Sequence, residues 1–393
     1  MTQAARPLKI AMIAGEVSGD LLGADLIGAL RRQHAGPLSI VGVGGEAMEA
    51  EGLSSWFDYS ELSIMGIAQV LKRLPQLLAR IRQTAERIIA EKPDLLVIID
   101  SPDFTHRVAK RVRKVLPDLP VVNYVCPSVW AWKPERATKM LAYVDHVLAV
   151  LPFEPDAMRA LGGPATTYVG HRLVADRNVR AVRDAQKARP AAAGLRPATC
   201  LLLPGSRGSE IDKLLPVFGE TMQELRRRHP DMRFVLPTVP RQEARVRTVV
   251  ATWPEQPDIR VGAAGKWSAF AEADTAIAAS GTVILELGLC RIPTVSTYKV
   301  DFLIRLMHQR IRTWTGALPN LIADYPFIPE YLNEAIRPGS LVRWVDRLIA
   351  ETPERAAMLA GFDRVETVMA TQVPAGERAA EVVLSLLDTR RGI

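Results

Sequence analysis

Two short turns in the second half of this 393-residue chain carry residue types suited to holding an anion. Pro204-Gly205-Ser206-Arg207-Gly208-Ser209-Glu210 follows the apolar run 200–203 and opens an amphipathic stretch, 211–228. Free backbone N–H groups at a helix start would meet a phosphate there, with Arg207 as a planar cation beside them. A plain strand-to-helix turn, with Ser209 as cap and Glu210 in the first turn, explains everything except Arg207. The arrangement recurs at Ser280-Gly281-Thr282, after the run 275–279, with Glu286 one turn into the next helix. That turn offers N–H and hydroxyl donors, and Glu286 can accept from both hydroxyls of a ribose. The competing reading makes Ser280 and Thr282 caps and Glu286 a first-turn acid favoured by the helix dipole. Two such turns in one half strengthen the case for a nucleoside diphosphate.

In the first half, Asp100 ends the apolar run 95–99, in Ile99-Asp100-Ser101-Pro102-Asp103-Phe104. A carboxylate there can take a proton from an attacking hydroxyl. It can equally accept N–H bonds from its own loop, and the residues alone leave both readings open. Asp103 reads as the N-cap of the following helix. Gly15-Glu16-Val17-Ser18-Gly19-Asp20 and Val41-Gly42-Val43-Gly44-Gly45 each follow a strand, but neither has the GxGxxG spacing of a dinucleotide fingerprint. Trp130 and Trp132, in Pro127-Ser128-Val129-Trp130-Ala131-Trp132-Lys133, could stack on a sugar, line an acyl channel or simply pack.

The elements that must position these groups follow a regular rhythm. Apolar runs at 8–13, 39–43, 95–99, 121–125 and 147–150 alternate with amphipathic stretches at 20–34, 69–92 and 104–116. This pattern predicts a parallel sheet wound with helices, its strands continuous apolar runs because both faces are covered. A second series follows, with strands at 200–203, 234–236, 275–279 and 294–296. The segment 176–199, rich in Ala and Arg and carrying Pro190 and Pro197, reads as the linker. The fold expected is therefore α/β, with two Rossmann-like domains facing a central cleft and a helical C-terminal tail. Ligands in such sheets bind beyond the carboxyl ends of the strands. The domains expected are 1–175, completed by C-terminal helices at about 352–393, and 200–351.

Composition narrows the class. Hydrophobic residues make up 48% and charged residues 24%, enough to bury two cores and too apolar for a disordered chain. A formal charge of +7 favours phosphates or an anionic lipid surface without implying nucleic acid. Cys126, Cys200 and Cys290 are too widely spaced for a zinc knuckle, no HExxH occurs, and no Asp-x-Asp occurs to hold a divalent cation, so neither metal nor cofactor is expected. No export signal or membrane-length apolar run is visible, which predicts a cytoplasmic protein. The basic amphipathic stretches 69–92 and 301–314 could rest on anionic lipid, although a solvated helix face is the commoner explanation for the first.

Taken in order, the motifs GEVSGD (15–20), GVGGEAM (42–48), LSIMGIAQVL (62–71), IDSPDF (99–104), PSVWAWK (127–133), LPFE (151–154), VGH (169–171), LPGSRGSEI (203–211), ASGTVILE (279–286) and LPNLIA (318–323) span nearly the whole chain. Together they resemble the lipid-A-disaccharide synthase family, inverting glycosyltransferases of the two-domain GT-B type. The resemblance implies that UDP-2,3-diacylglucosamine is joined to 2,3-diacylglucosamine 1-phosphate through a β-1,6 bond, releasing UDP, at the inner face of the inner membrane of a Gram-negative bacterium. It implies Asp100 and Asn320 as catalytic residues, and Ser206, Arg207, Ser280, Gly281, Thr282 and Glu286 around the UDP. Glu16, Ser18, Met65, Trp130 and Trp132 become acceptor-side candidates, and a homodimer fits the family. Thr105-His106, Cys126 and Arg172 depart from the family's usual residues. Another UDP-sugar transferase, an epimerase or a non-catalytic nucleotide-sugar binder would share the second-half turns. Product analysis separates them.

Overall fold

A computed structural model describes residues 6–62, 67–299 and 312–391. Met65 and most of the 301–314 stretch lie outside those residues. The chain forms two compact units, one of residues 1–172 with 371–393, the other of residues 173–370.

The first unit is built on a seven-stranded parallel sheet. Its strands are β1 (Leu8–Ala14), β2 (Leu38–Val43), β3 (Ser54–Ser55), β4 (Leu95–Ile99), β5 (Val121–Tyr124), β6 (His146–Ala149) and β7 (Ala165–Tyr168), in the order β3-β2-β1-β4-β5-β6-β7. Alternate residues feed opposite faces. Ile10, Met12, Val97 and Ile99 pack with Leu26 and Leu30 of the helix Val17–Gln33 and with Val383 and Leu387 of the last helix, Ala375–Arg391. Ala11, Ile13, Leu96 and Ile98 pack with Ile81 and Ile88 of the helix Ile67–Glu91 and with Val108 and Val112 of the helix Pro102–Val115. Covering both faces is why these strands read as unbroken apolar runs.

The second unit holds a six-stranded parallel sheet of β8 (Thr199–Leu203), β9 (Arg233–Thr238), β10 (Asp258–Val261), β11 (Thr275–Ala279), β12 (Thr294–Tyr298) and β13 (Glu330–Leu332), in the order β10-β9-β8-β11-β12-β13. Residues 176–199, expected as a linker, belong to this unit instead. They form a helix, Arg177–Lys187, capped by the Asp176 side chain, and a return segment anchored on buried Asp274. That carboxylate accepts from Arg189 Nε at 3.0 Å, Arg196 Nη1 at 2.7 Å and the Thr199 N–H at 2.8 Å. The helix Pro353–Met369, expected to complete the first unit, also lies here: Phe362 packs edge-on against Phe327, and Met358 Sδ accepts from the Thr294 N–H. Of the C-terminal helices only Ala375–Arg391 returns to the first unit.

β3, β7, β10 and β13 have no counterpart among the expected strands, because an outer strand is half exposed and carries no apolar run. Two expected caps also shift. Pro102 starts its helix after Ser101, leaving Asp103 within the first turn, and Gly208 starts the next one after Arg207, ahead of Ser209. Proline is well suited to the first helical position, since its missing N–H would be unpaired there anyway.

Candidate functional site

In the second unit, the loops after β8, β9 and β11 open beyond the carboxyl ends of neighbouring strands around a cavity of about 520 Å³. All six residues singled out in the two turns line it: Ser206, Arg207, Ser280, Gly281, Thr282 and Glu286. The β11 turn has Gly281 at φ +155°, a conformation for which glycine is suited, and no side chain caps the helix Thr282–Leu289. Its hydroxyls are therefore not consumed as caps. Ser280 Oγ instead donates to the Gly316 carbonyl at 3.2 Å. Gly316 N–H in turn donates to Glu330 Oε1 at 3.0 Å, and Thr315 bonds to the same carboxylate.

Asn320 is not among the cavity's lining residues. Buried to 1% exposure, it accepts from the Phe327 and Ile328 N–H groups and donates to the Ile328 carbonyl and to Thr315. The structure thus gives it the work of tying the 315–328 loop together, one network away from Ser280. A sequence motif cannot distinguish a side chain that touches substrate from one that holds the loop beside it.

Two features of this cavity were not legible. Lys266, on the helix Gly262–Glu272, reaches Glu286 Oε1 at 2.9 Å and also lines the wall. It lies 20 residues from Glu286 in a motif-free stretch. Glu210 folds back on its own loop, accepting from the Ser206 and Arg207 N–H groups at 3.2 Å each and from Arg207 Nη1 at 2.9 Å.

In the first unit, Asp100 borders a second cavity of about 240 Å³ with His106, Asn123, Trp132 and Arg136. Left-handed backbone crowds this place: Asp100 has φ +50°, Ser101 +45°, Val125 +78° and Lys133 +53°. Such angles are uncommon outside glycine, and for a β-branched residue such as Val125 they are true outliers that surrounding structure must hold in place. The holding contacts are visible. Asp100 Oδ1 accepts from the Ser101 N–H at 2.8 Å and Oδ2 from Ser18 Oγ at 3.4 Å. Thr105 Oγ1 donates to the Asp100 carbonyl at 2.6 Å. A Cβ on Gly15 would stand 2.7 Å from Ser101 Oγ, so the glycine admits the turn.

His106 completes the brace. Asn123 Nδ2 donates to the Val125 carbonyl at 2.9 Å, which turns Asn123 Oδ1 toward His106 Nε2 at 3.1 Å, while His106 Nδ1 faces the Tyr143 hydroxyl at 3.1 Å. The ring therefore donates through Nε2 and accepts at Nδ1. Burial pulls its pKa down to about 4, keeping it neutral. Thr105 thus holds the Asp100 backbone directly, whereas His106 holds Asn123 and, through it, the Val125 turn beside the same cavity.

The acceptor-side candidates separate. Glu16 and Ser18 open the helix Val17–Gln33, with Ser18 reaching Asp100. Trp132 lines the Asp100 cavity. Trp130 does not line it; its Nε1–H points to buried Glu154 at 3.3 Å and its ring stands edge-on to Phe153. Asp20, in the GEVSGD motif, is buried and accepts from the Gly45, Ala47 and Met48 N–H groups, capping the helix Glu46–Ala50 from the adjacent helix Val17–Gln33 on the same face of the sheet. Among the described residues, no group of three or more His, Cys, Asp or Glu stands arranged to hold a metal ion.

With the geometry in hand, comparison with known proteins is specific. The family model described as lipid-A-disaccharide synthetase matches residues 10–356. The lipid-A-disaccharide synthase of Nitrobacter hamburgensis is 48% identical over 387 residues, covering 98% of this chain and 97% of that protein. That of Rhodopseudomonas palustris (strain HaA2) is 47% identical, covering 96% of each. Among solved structures, a Staphylococcus aureus MnaA bound to UDP superposes with a TM-score of 0.62 at 13% identity, covering 98% of this chain and 97% of that one. MurG of Acinetobacter baumannii superposes with 0.56 at 14% identity, covering 96% and 100%.

Proposed function

The chain belongs to the lipid-A-disaccharide synthase family, glycosyltransferases that condense a UDP-diacylglucosamine with 2,3-diacylglucosamine 1-phosphate, and on that premise we propose which of its residues bind the nucleotide and move the proton. Its fold is of the two-domain GT-B type. The observation that carries the proposal is the 520 Å³ cavity of the second unit, where Ser206, Arg207, Ser280, Gly281, Thr282 and Glu286 converge.

UDP occupies that cavity. Its diphosphate lies against the loop 205–207 and the start of the helix Thr282–Leu289, where backbone N–H groups, the Thr282 hydroxyl and Arg207 oppose its charge, and the Ser280 hydroxyl joins them by turning from the Gly316 carbonyl. Glu286 accepts from the ribose, and Lys266 keeps its carboxylate aimed and offsets its charge. Asp100 takes the proton from the acceptor 6-hydroxyl, whose oxygen attacks the anomeric carbon of the donor as the bond to UDP breaks. A single in-line displacement inverts that carbon and yields the β-1,6 linkage. Charge building on the departing diphosphate is taken up by Arg207 and by helix-end dipoles, without a metal ion.

The lipid substrates bring the membrane into the proposal, with the protein cytoplasmic and peripheral on the inner leaflet, and pairing of two copies belongs to the same reading. Among the described residues, no helix is long and apolar enough to cross a membrane. A groove between the helices Ile67–Glu91 and Pro102–Val115 offers Arg82, Arg107, Lys110, Arg111, Lys114 and Lys139 over an apolar floor including Ile81 and Ile89. Those are the two components that attract anionic lipid. Within the groove Arg82 pairs with Glu86 and Lys110 stands over the Tyr143 ring, and Arg80 nearby is engaged with Glu61 and Phe57.

The test combines purified protein with both diacyl substrates and no added metal. UDP and a tetra-acyl disaccharide phosphate should appear together. An isomerised free sugar, or UDP binding with both substrates unconsumed, would refute the proposal.

A further inference from the structure

The phosphate seat of the second unit already holds an anion, and it is one of the chain's own. Glu210 sits in the first turn of the helix Gly208–Arg228 and turns back over the loop before it. Its Oε2 receives the Ser206 and Arg207 N–H groups, and its Oε1 receives Arg207 Nη1. Gly205, at φ +105°, makes room: a Cβ there would stand 2.3 Å from Glu210 Oε2. Glu210 also lines the cavity itself, so its carboxylate is part of the wall that a ligand would meet.

A carboxylate and a phosphate compete for the same things, namely convergent N–H groups, a guanidinium and the positive end of a helix. The loop donors assigned above to a diphosphate are the ones Glu210 has taken. We propose that Glu210 is an internal stand-in for the diphosphate: in the empty site it occupies the loop and Arg207, and nucleotide binding is an exchange in which the diphosphate displaces it. On UDP release the carboxylate returns, which favours departure of product over its retention. This rests on the reading that the cavity binds UDP. A carboxylate that only closes a capping box would stay in place and act on the diphosphate merely as a nearby like charge, so Glu210→Asp, which keeps the charge but loosens the grip on the loop, separates the two.

Calorimetry on the full-length protein separates these possibilities, using UDP, and uridine as the control that lacks phosphates. Glu210→Gln keeps an acceptor for the loop N–H groups and removes only the charge. It should bind UDP about tenfold tighter than the unaltered protein, with uridine affinity changed by less than about twofold, and UDP should become a correspondingly stronger product inhibitor. Glu210→Asp keeps the acid in the first turn but shortens its reach; it should tighten UDP in the same direction, and it carries the test if the Gln variant does not fold. Unchanged or weaker UDP binding in the folded variant, while Arg207→Ala still loses UDP, would overturn the exchange and leave the nucleotide site standing. Failure of the unaltered protein to bind UDP would overturn both.

Discussion

Asp100 is held by its neighbours and yet faces a cavity, which is what a proton acceptor requires. One oxygen is occupied by the Ser101 N–H, and among the described residues the other has only the long contact to Ser18. Asp100→Asn should therefore lower turnover by about a hundredfold or more, the usual scale of general-base catalysis, while the dissociation constant for UDP moves by less than about twofold. Turnover close to that of the unaltered protein would remove Asp100 from the mechanism. In the proposed mechanism Arg207 serves the leaving group instead. Arg207→Ala should weaken UDP binding and lower turnover together, by about tenfold or more each, because the guanidinium serves both bound UDP and the charge that develops on it. An unchanged UDP dissociation constant would show that the diphosphate lies elsewhere.

At the scale of elements, the turns around the sites are pinned by buried polar residues from other segments. Glu154 is the clearest case. It accepts from the Val150 and Leu151 N–H groups and from Trp130 Nε1, joining the loop after β6 to the PSVWAWK turn. Burial pushes its carboxyl up to about 7, although those hydrogen bonds pull the other way. A carboxyl raised on folding contributes stability that is fully present below its ordinary pKa near 4.5 and is lost as pH rises through about 7. His106 and His171, both lowered by burial to about 4, have the opposite sign over pH 6.5 to 4, so the bare melting curve mixes these contributions. Comparing Glu154→Gln with the unaltered protein isolates the first. The variant should gain melting temperature relative to the parent between pH 5 and pH 8, by up to ~3 kcal/mol of relative stability. A difference that stays flat with pH would mean that Glu154 remains ionised throughout.

For the molecule as a whole, the first unit is closed by the last helix of the chain. Ala379, Ala380, Val383 and Leu387 join the cluster of Leu22, Leu26 and Leu30 beneath the sheet. Val383→Asp would place a charge in that core at a cost of about 3 kcal/mol or more. Hydrogen exchange should then accelerate in peptides from residues 6–172, with those from 173–370 unaffected. Equal acceleration in both would show that the two units unfold together.

The alternation of apolar runs and amphipathic stretches was enough to establish two wound parallel sheets, because central strands covered on both faces must be apolar throughout. Outer strands such as β3 and β13 carry no such signature, having one side exposed. The turns at 204–210 and 280–286 were readable for a similar reason: residues adjacent in sequence carry much of their own chemistry. The amino-acid order could not show that the 189–199 segment is bound down on Asp274, that the helix Pro353–Met369 stays with the second sheet, that Asn320 is spent on its own loop, or that Lys266 meets Glu286. Each of these joins groups 5 to 85 residues apart, and only the folded chain decides such encounters. The same holds for Glu210. Its position in the sequence marks it as a helix-start acid, whereas its direction in space makes it a rival for the phosphate.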